Sequence, residues 1–181
     1  MASTLEVLDL TRLDQTMLRT YVRQLLVFPF PNASKKKEAQ AGLAIGLHAT
    51  LKQFPFLAGT IEQTNTSTGV MTVRYPKSIS LEVASCMLTV SNLNVDELSY
   101  DTLCEAGTPP SRLRDEAHCP LTLRSHAGVD DPFAEGFTTF AKGLPIPVSA
   151  AQINFISNEL ILSAYTHHSV IDGTGIAKIY Q

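Results

Sequence analysis

Residues 151–175 read AQINFISNELILSAYTHHSVIDGTG. Two apolar runs, AQINFIS and LILSAYTH, are broken at Asn158, the pattern of two successive strands joined by a tight turn. Alternation along the second run puts Leu160, Leu162, Ala164, Thr166 and His168 on one side. Ile161, Ser163, Tyr165 and His167 fall on the other, so the two histidines are expected to point apart. Gly173 and Gly175 then interrupt the strand, and Ile176, Ile179 and Tyr180 resume at helical spacing. The histidine pair therefore sits at a strand-to-helix junction.

These residue types leave several chemistries to weigh. The structural reading makes His168 a hydrogen-bonded core histidine and Asp172 a helix N-cap. A metal site needs three or four converging ligands. His167, His168 and Asp172 are usable types, but the alternation splits the pair, and no metal is expected. The glycines at 173 and 175 lack the lysine and the spacing of a phosphate loop, and Ser169, adjacent to His168, lies in no nucleophile elbow. General-base chemistry remains, because a neutral imidazole takes a proton from a hydroxyl near pH 7.

Outward from this stretch, YVRQLLVFPF at 21–30 reads as a strand that Pro29 and Pro31 close as an edge or strand end would. From Ser34, a candidate N-cap, to Phe54, the apolar residues Leu43, Leu47, Leu51 and Phe54 recur at helical spacing until Pro55. Gly42 and Gly46, one turn apart, suggest close packing on that helix. FLAGTIEQ and GVMTVRYP, separated by TNTST, predict two antiparallel strands, and LEVAS at 81–85 a third. Asn94 with Glu97 forms a capping-box pattern ahead of a short helix that ends at Gly107. Residues 108–147 show no sustained period and read as a long connection of the kind that lines functional sites.

Composition limits the partners. The 181 residues are 44% apolar and 17% charged, with a net charge of −3. The single basic run, Lys35-Lys36-Lys37, opens a helix and reads as a solvated face, so nucleic acid is not an expected partner. No apolar stretch reaches the roughly 18 residues of a membrane span. The opening MASTLEVLDL has no secretory pattern, and a cytoplasmic protein is expected. Cys86, Cys104 and Cys119, odd in number and without CxxC spacing, are expected to be reduced and buried.

At His167-His168-Ser169-Val170-Ile171-Asp172-Gly173 the sequence resembles the HHxxxDG form of the motif of BAHD-type (HxxxD) acyltransferases. That family shares the chloramphenicol acetyltransferase-like fold with condensation domains. Phe54-Pro55-Phe56-Leu57-Ala58-Gly59 resembles the family's P-x-L-A-G segment, and LDLTRLDQTMLRTYVRQLLVFPFP resembles its first strands. The run Gln152-Ile153-Asn154-Phe155-Ile156 is most similar to the fungal branch that includes trichothecene 3-O-acetyltransferase.

The resemblance implies an α/β (α+β) fold, a mixed β-sheet flanked by helices, forming a chloramphenicol acetyltransferase-like half-domain. It implies transfer of an acyl group, with acetyl-CoA as the expected co-substrate and no permanently bound cofactor, to a hydroxyl or amine of a small secondary metabolite. His168 is then the general base, Asp172 a structural residue that holds the loop by an ion pair, Gly173 a close-packing residue and His167 a neighbour with no assigned proton transfer. Family members are more than twice as long and carry a DFGWG-like motif in a second half that is absent from this sequence. Residues 1–181 are therefore expected to be a truncated N-terminal domain, short of most coenzyme A contacts. A missing C-terminal half or a second copy would complete its site. The other readings are a condensation-type domain using carrier-protein thioesters and an inactive remnant that only binds.

Overall fold

A computed structural model describes residues 5–92, 100–107, 109, 113, 116–131, 137–156 and 158–180. The fold class is the expected mixture of helix and sheet, but the strands divide between two four-stranded sheets.

The first sheet has the order β1-β4-β3-β6, built from β1 (Leu5–Asp9), β3 (Thr60–Asn65), β4 (Val70–Pro76) and β6 (Ile146–Pro147). The second has the order β2-β8-β7-β5, built from β2 (Tyr21–Pro29), β5 (Leu88–Asn92), β7 (Ser149–Ile156) and β8 (Glu159–His167). β7 and β8 form the expected hairpin, with Ile153 opposite Leu162. Asn158 turns it at φ 60°, a left-handed conformation that asparagine tolerates well. β2 is an edge strand, in keeping with its closing prolines. β5 runs parallel to β7, which makes this sheet mixed.

The long helix is α2 (Lys36–Gln53). Its entry differs from expectation, because Asn32 rather than Ser34 supplies the cap. Asn32 Oδ1 accepts from the Ser34 amide at 3.1 Å and opens a 3-10 turn over Ala33–Lys35. Lys36 is more than a solvated charge, since its Nζ donates to Asn92 Oδ1 and lies 5.0 Å from the centre of the Phe155 ring. Ala44, partly buried Leu43 and Leu47, and the sheet residues Ile153, Phe155 and Leu160 form the contact between α2 and one face of the second sheet. On the other face, Ile156 and Ile161 pack against Leu113 and against Leu103 of α4 (Tyr100–Glu105).

Two strand readings need correction. LEVAS lies in a helix, α3 (Leu81–Met87), because Ser80 accepts from the Val83 amide and Ser85 bonds back to the Leu81 carbonyl. The strand follows it, as β5. FLAGTIEQ begins with a 3-10 turn over Pro55–Ala58, and only Thr60 onward pairs with β4. A short helix, α1 (Arg12–Thr16), was not expected. Thr11 and Asp14 close a capping box around it. The capping pattern at Asn94 and Glu97 lies outside the described residues. Among the described residues of 108–147 there is little regular structure beyond α5 (Leu121–Arg124), β6 and 3-10 turns. Cys119 is buried as expected, whereas Cys86 and Cys104 are exposed, since α3 and α4 turn those positions to solvent.

Glu159 opens β8 fully buried, and among the described residues neither carboxyl oxygen has a hydrogen-bond partner. Burial, and then the charge of Asp101, push its carboxyl above the ordinary value. A raised carboxyl contributes stability below the ordinary value of about 4.3, which is lost as pH rises through the held value. Glu159→Gln is therefore expected to raise the melting temperature at neutral pH and leave it unchanged in acid. Thermal melts at both pH values check this, and equal effects at the two would count against it.

Candidate active site

The two sheets meet where β6 becomes β7, and Val148 is the junction. Its amide donates to the Gly59 carbonyl at 2.9 Å, and its carbonyl accepts from the His167 amide at 2.9 Å. On the other side of the strand end, the His168 amide donates to the Thr20 carbonyl at 2.8 Å, extending the β2–β8 ladder one residue past Tyr21 and His167. Both histidines are thus pinned by backbone from opposite flanks.

The chain then turns sharply. The amides of Val170 and Ile171 both donate to the His167 carbonyl, at 3.0 and 3.3 Å, and α6 (Gly173–Ile179) begins. Asp172 caps this helix, its Oδ1 accepting from the Gly175 amide at 2.8 Å. An ion pair on Asp172 was expected. Among the described residues none is seen, and the cap is the bond it makes. The close packing expected at Gly173 belongs to Gly175. A Cβ on Gly173 would meet nothing within 4 Å, while one on Gly175 would lie 2.9 Å from Ile171 Cγ1.

His167 is buried among polar and aromatic partners. The Ser169 amide donates to its Nδ1 at 3.3 Å, and its Nε2 lies 2.8 Å from Thr138 Oγ1. Its ring also meets the Tyr21 ring edge-on, centroids 5.3 Å apart. Burial, then the neighbouring His168 and Arg19, lower its pKa to about 4. His167 is therefore neutral near pH 7.

That lowering has a consequence for stability. Between about 4 and the ordinary 6.5 the unfolded chain binds the proton and the folded chain refuses it, so the contribution is complete above 6.5 and lost as pH falls. At 1.36 kcal/mol per pH unit, the interval is worth about 3 kcal/mol. An imidazole NMR titration of His167 is expected to show a midpoint near 4, and a midpoint at 6.5 would contradict the burial described here.

His168 is half-buried. Its Nδ1 is turned into the protein, where it has no hydrogen-bond partner among the described residues. By alternation it belongs to the face that carries Thr166, Ala164 and Leu162. On this face, between the sheet, α2 and α6, lies a mostly apolar cavity of about 240 Å³. Ala164 and Thr166 form part of its floor, Gly42 and Gly46 part of its roof, and Ile176 and Tyr180 one wall. The close packing expected at Gly42 and Gly46 is not found, because a Cβ on either would meet nothing within 4 Å. These glycines make room.

Among the described residues no three His, Cys, Asp or Glu side chains gather to hold a metal ion. Nor is any described helix long and apolar enough to cross a membrane. The structure thus brings His168, His167, Asp172 and Gly173 to one junction and adds Thr20, Gly59, Thr138 and Val148. Gly59 was marked by its P-x-L-A-G setting. Thr138 lies in the patternless stretch and carried no signal.

Two sheets joined through a bent strand, with the histidine pair at the end of β8, define a chloramphenicol acetyltransferase-like fold. The chain belongs to the family of trichothecene 3-O-acetyltransferase-like N-terminal domains, whose model matches residues 20–181. It is 29% identical over 179 residues to the O-acetyltransferase ptmV of Penicillium ochrochloron, covering 97% of this chain and 32% of that one. It is 28% identical over 177 residues to the acyltransferase BOA11 of Botryotinia fuckeliana, covering 92% and 32%. Among solved structures it resembles TRI101 of F. graminearum complexed with coenzyme A and deoxynivalenol, with a TM-score of 0.71 at 20% identity over 97% of this chain and 37% of that one. The chain spans about a third of the length of the curated relatives it matches.

Proposed function

We infer that the chain is the histidine-bearing domain of an acyl-CoA-dependent acyltransferase that acts on a hydroxyl or amine of a small secondary metabolite. The observation that carries this reading is His168: a half-buried imidazole just past a strand end, pinned through the Thr20 carbonyl, with Nδ1 turned inward. Family membership, the names of the relatives and the coenzyme A bound in the TRI101 structure support the reaction class.

In this reading Nε2 of His168 takes the acceptor proton as the acceptor oxygen or nitrogen attacks the thioester carbonyl. The tetrahedral adduct collapses, the carbon–sulfur bond breaks, and the imidazolium returns the proton to the leaving thiolate. Acetyl is the acyl group we favour, in line with the relative named an O-acetyltransferase. Asp172 holds the turn by capping α6 and has no part in proton transfer.

The same reading limits the 181 residues taken alone. A positioned base contributes about 10²–10⁴-fold, while the orientation of two substrates contributes roughly 7–11 kcal/mol. Much of that orientation belongs to the further two-thirds of such enzymes. The purified chain is therefore expected to release free thiol from acetyl-CoA only slowly with a panel of small alcohols, unless a second half or a second copy completes the site. Brisk His168-dependent turnover by a chain that gel filtration shows to be monomeric would refute this limit.

A further inference from the structure

We propose that Thr138 is a positioning residue for the histidine pair: its hydroxyl links Arg19 to His167, fixes the tautomer of that ring and so sets the strand end on which His168 stands. The proposal rests on the reading of His168 as the base, and its grounds lie in the hydrogen bonds around His167.

The proton positions follow by elimination. The Ser169 amide points at His167 Nδ1, and an amide is a donor only, so Nδ1 carries a lone pair. In a neutral ring the proton is then on Nε2, which donates to Thr138 Oγ1 across 2.8 Å. The Thr138 hydroxyl, having accepted, donates to the Arg19 carbonyl at 3.0 Å. The Thr138 amide donates to the same carbonyl. Each donor in the relay thus has one acceptor, and the relay has one direction. Thr138 and His167 are 4% and 1% exposed, so water is a poor substitute at either end.

The relay matters because of what surrounds it. Arg19 is followed by Thr20, whose carbonyl accepts the His168 amide. The hydroxyl therefore ties the Arg19–Thr20 backbone on one side of the last ladder rung to the His167 ring on the other. A ring with its proton on Nδ1 would set that proton against the Ser169 amide and oppose the turn that leads to Asp172. The neighbouring bonds at 137–140, an isolated bridge between Val129 and Thr138 and the Thr139 contacts to the Gly128 carbonyl and to Asp130 Oδ1, do not use the Thr138 hydroxyl. A threonine in a patternless stretch thus acts on the site through another side chain.

The test uses the 181-residue chain labelled with ¹⁵N at histidine, with wild type, Thr138→Val and Thr138→Ser compared near neutral pH. His167→Gln assigns the His167 signals. In wild type and Thr138→Ser, the His167 nitrogens are expected to report a proton on Nε2, and the His168 amide to be protected from exchange. In Thr138→Val, a nearly isosteric change, the His167 ring is expected to lose its single tautomer, and His168 amide exchange to rise at least about tenfold while amides of β3 and β4 stay protected. Protection of those strands shows that the variant is folded. Should it unfold, Thr138→Ala and the wild-type tautomer decide instead. A wild-type proton on Nδ1, or a valine variant with unchanged tautomer and His168 exchange, overturns the proposal. Retained acyl transfer in His168→Ala would remove the base reading and leave these spectroscopic results standing, so the two failures are distinguishable.

Discussion

Replacing His168 with alanine is expected to lower acyl transfer by about 10²–10⁴-fold, the usual worth of a positioned general base. The fall should appear in kcat, with KM for the acyl donor little changed, because the imidazole acts on a proton that moves only in the transition state. Folding should be nearly unaffected, since His168 is half-buried and its structural bond, from its amide to the Thr20 carbonyl, belongs to the backbone. The measurement is thiol release from acetyl-CoA by an assembly containing this chain, alongside a thermal melt. A melting temperature that collapses with the rate would make His168 a core histidine, and a retained rate would exclude it as the base.

The largest effect on stability is expected at Gly59. A Cβ there would lie 2.6 Å from the Arg74 carbonyl oxygen and 2.9 Å from that of Phe56. Both are backbone atoms held in place, Phe56 by the 3-10 turn and Arg74 by its pairing with Thr60 and Val7. Neither yields as a side chain would. Gly59→Ala is expected to cost about 3 kcal/mol, at the upper end for overpacking. For a domain of this size that is about 6–12 °C in melting temperature. Because the Gly59 carbonyl receives the Val148 amide, and Val148 in turn receives His167, the displacement should reach the site. Gly42→Ala and Gly46→Ala are the controls: a methyl there enters open space on α2, and each is expected to stabilise by about 0.5–1 kcal/mol. Thermal melts of the three variants check the ordering, and a Gly59→Ala melt equal to wild type would refute it.

Local signals were sufficient where one interaction range decides the outcome. The β7–β8 hairpin was legible because apolar runs on either side of a turn residue admit few alternatives, and α2 because its apolar residues recur over several turns. LEVAS was misread because five residues with alternating character fit a strand or one helical turn. The choice was made by the Ser80 cap and by β5, whose parallel partner β7 lies about sixty residues further on. Gly42 and Gly46 were misread for a related reason: spacing shows that two glycines share a helix face, and only the facing sheet shows whether the gap is filled.

The candidate site divides along the same line. From sequence alone came the motif, the strand-to-helix junction and the membership of this chain in an acyltransferase-type family, all of which depend on residue identity over a few positions. Tertiary structure decided between the two roles the sequence left open for Asp172, in favour of the helix cap over the ion pair, and it alone decided that Gly175 rather than Gly173 is the tight glycine and that Gly59, Val148, Thr20 and Thr138 hold the histidines. Those four positions lie between 20 and 148 residues away from His168 in the chain. No periodicity spans such distances, and the carbonyls and hydroxyl concerned acquire a partner only when the two sheets meet at the bent strand.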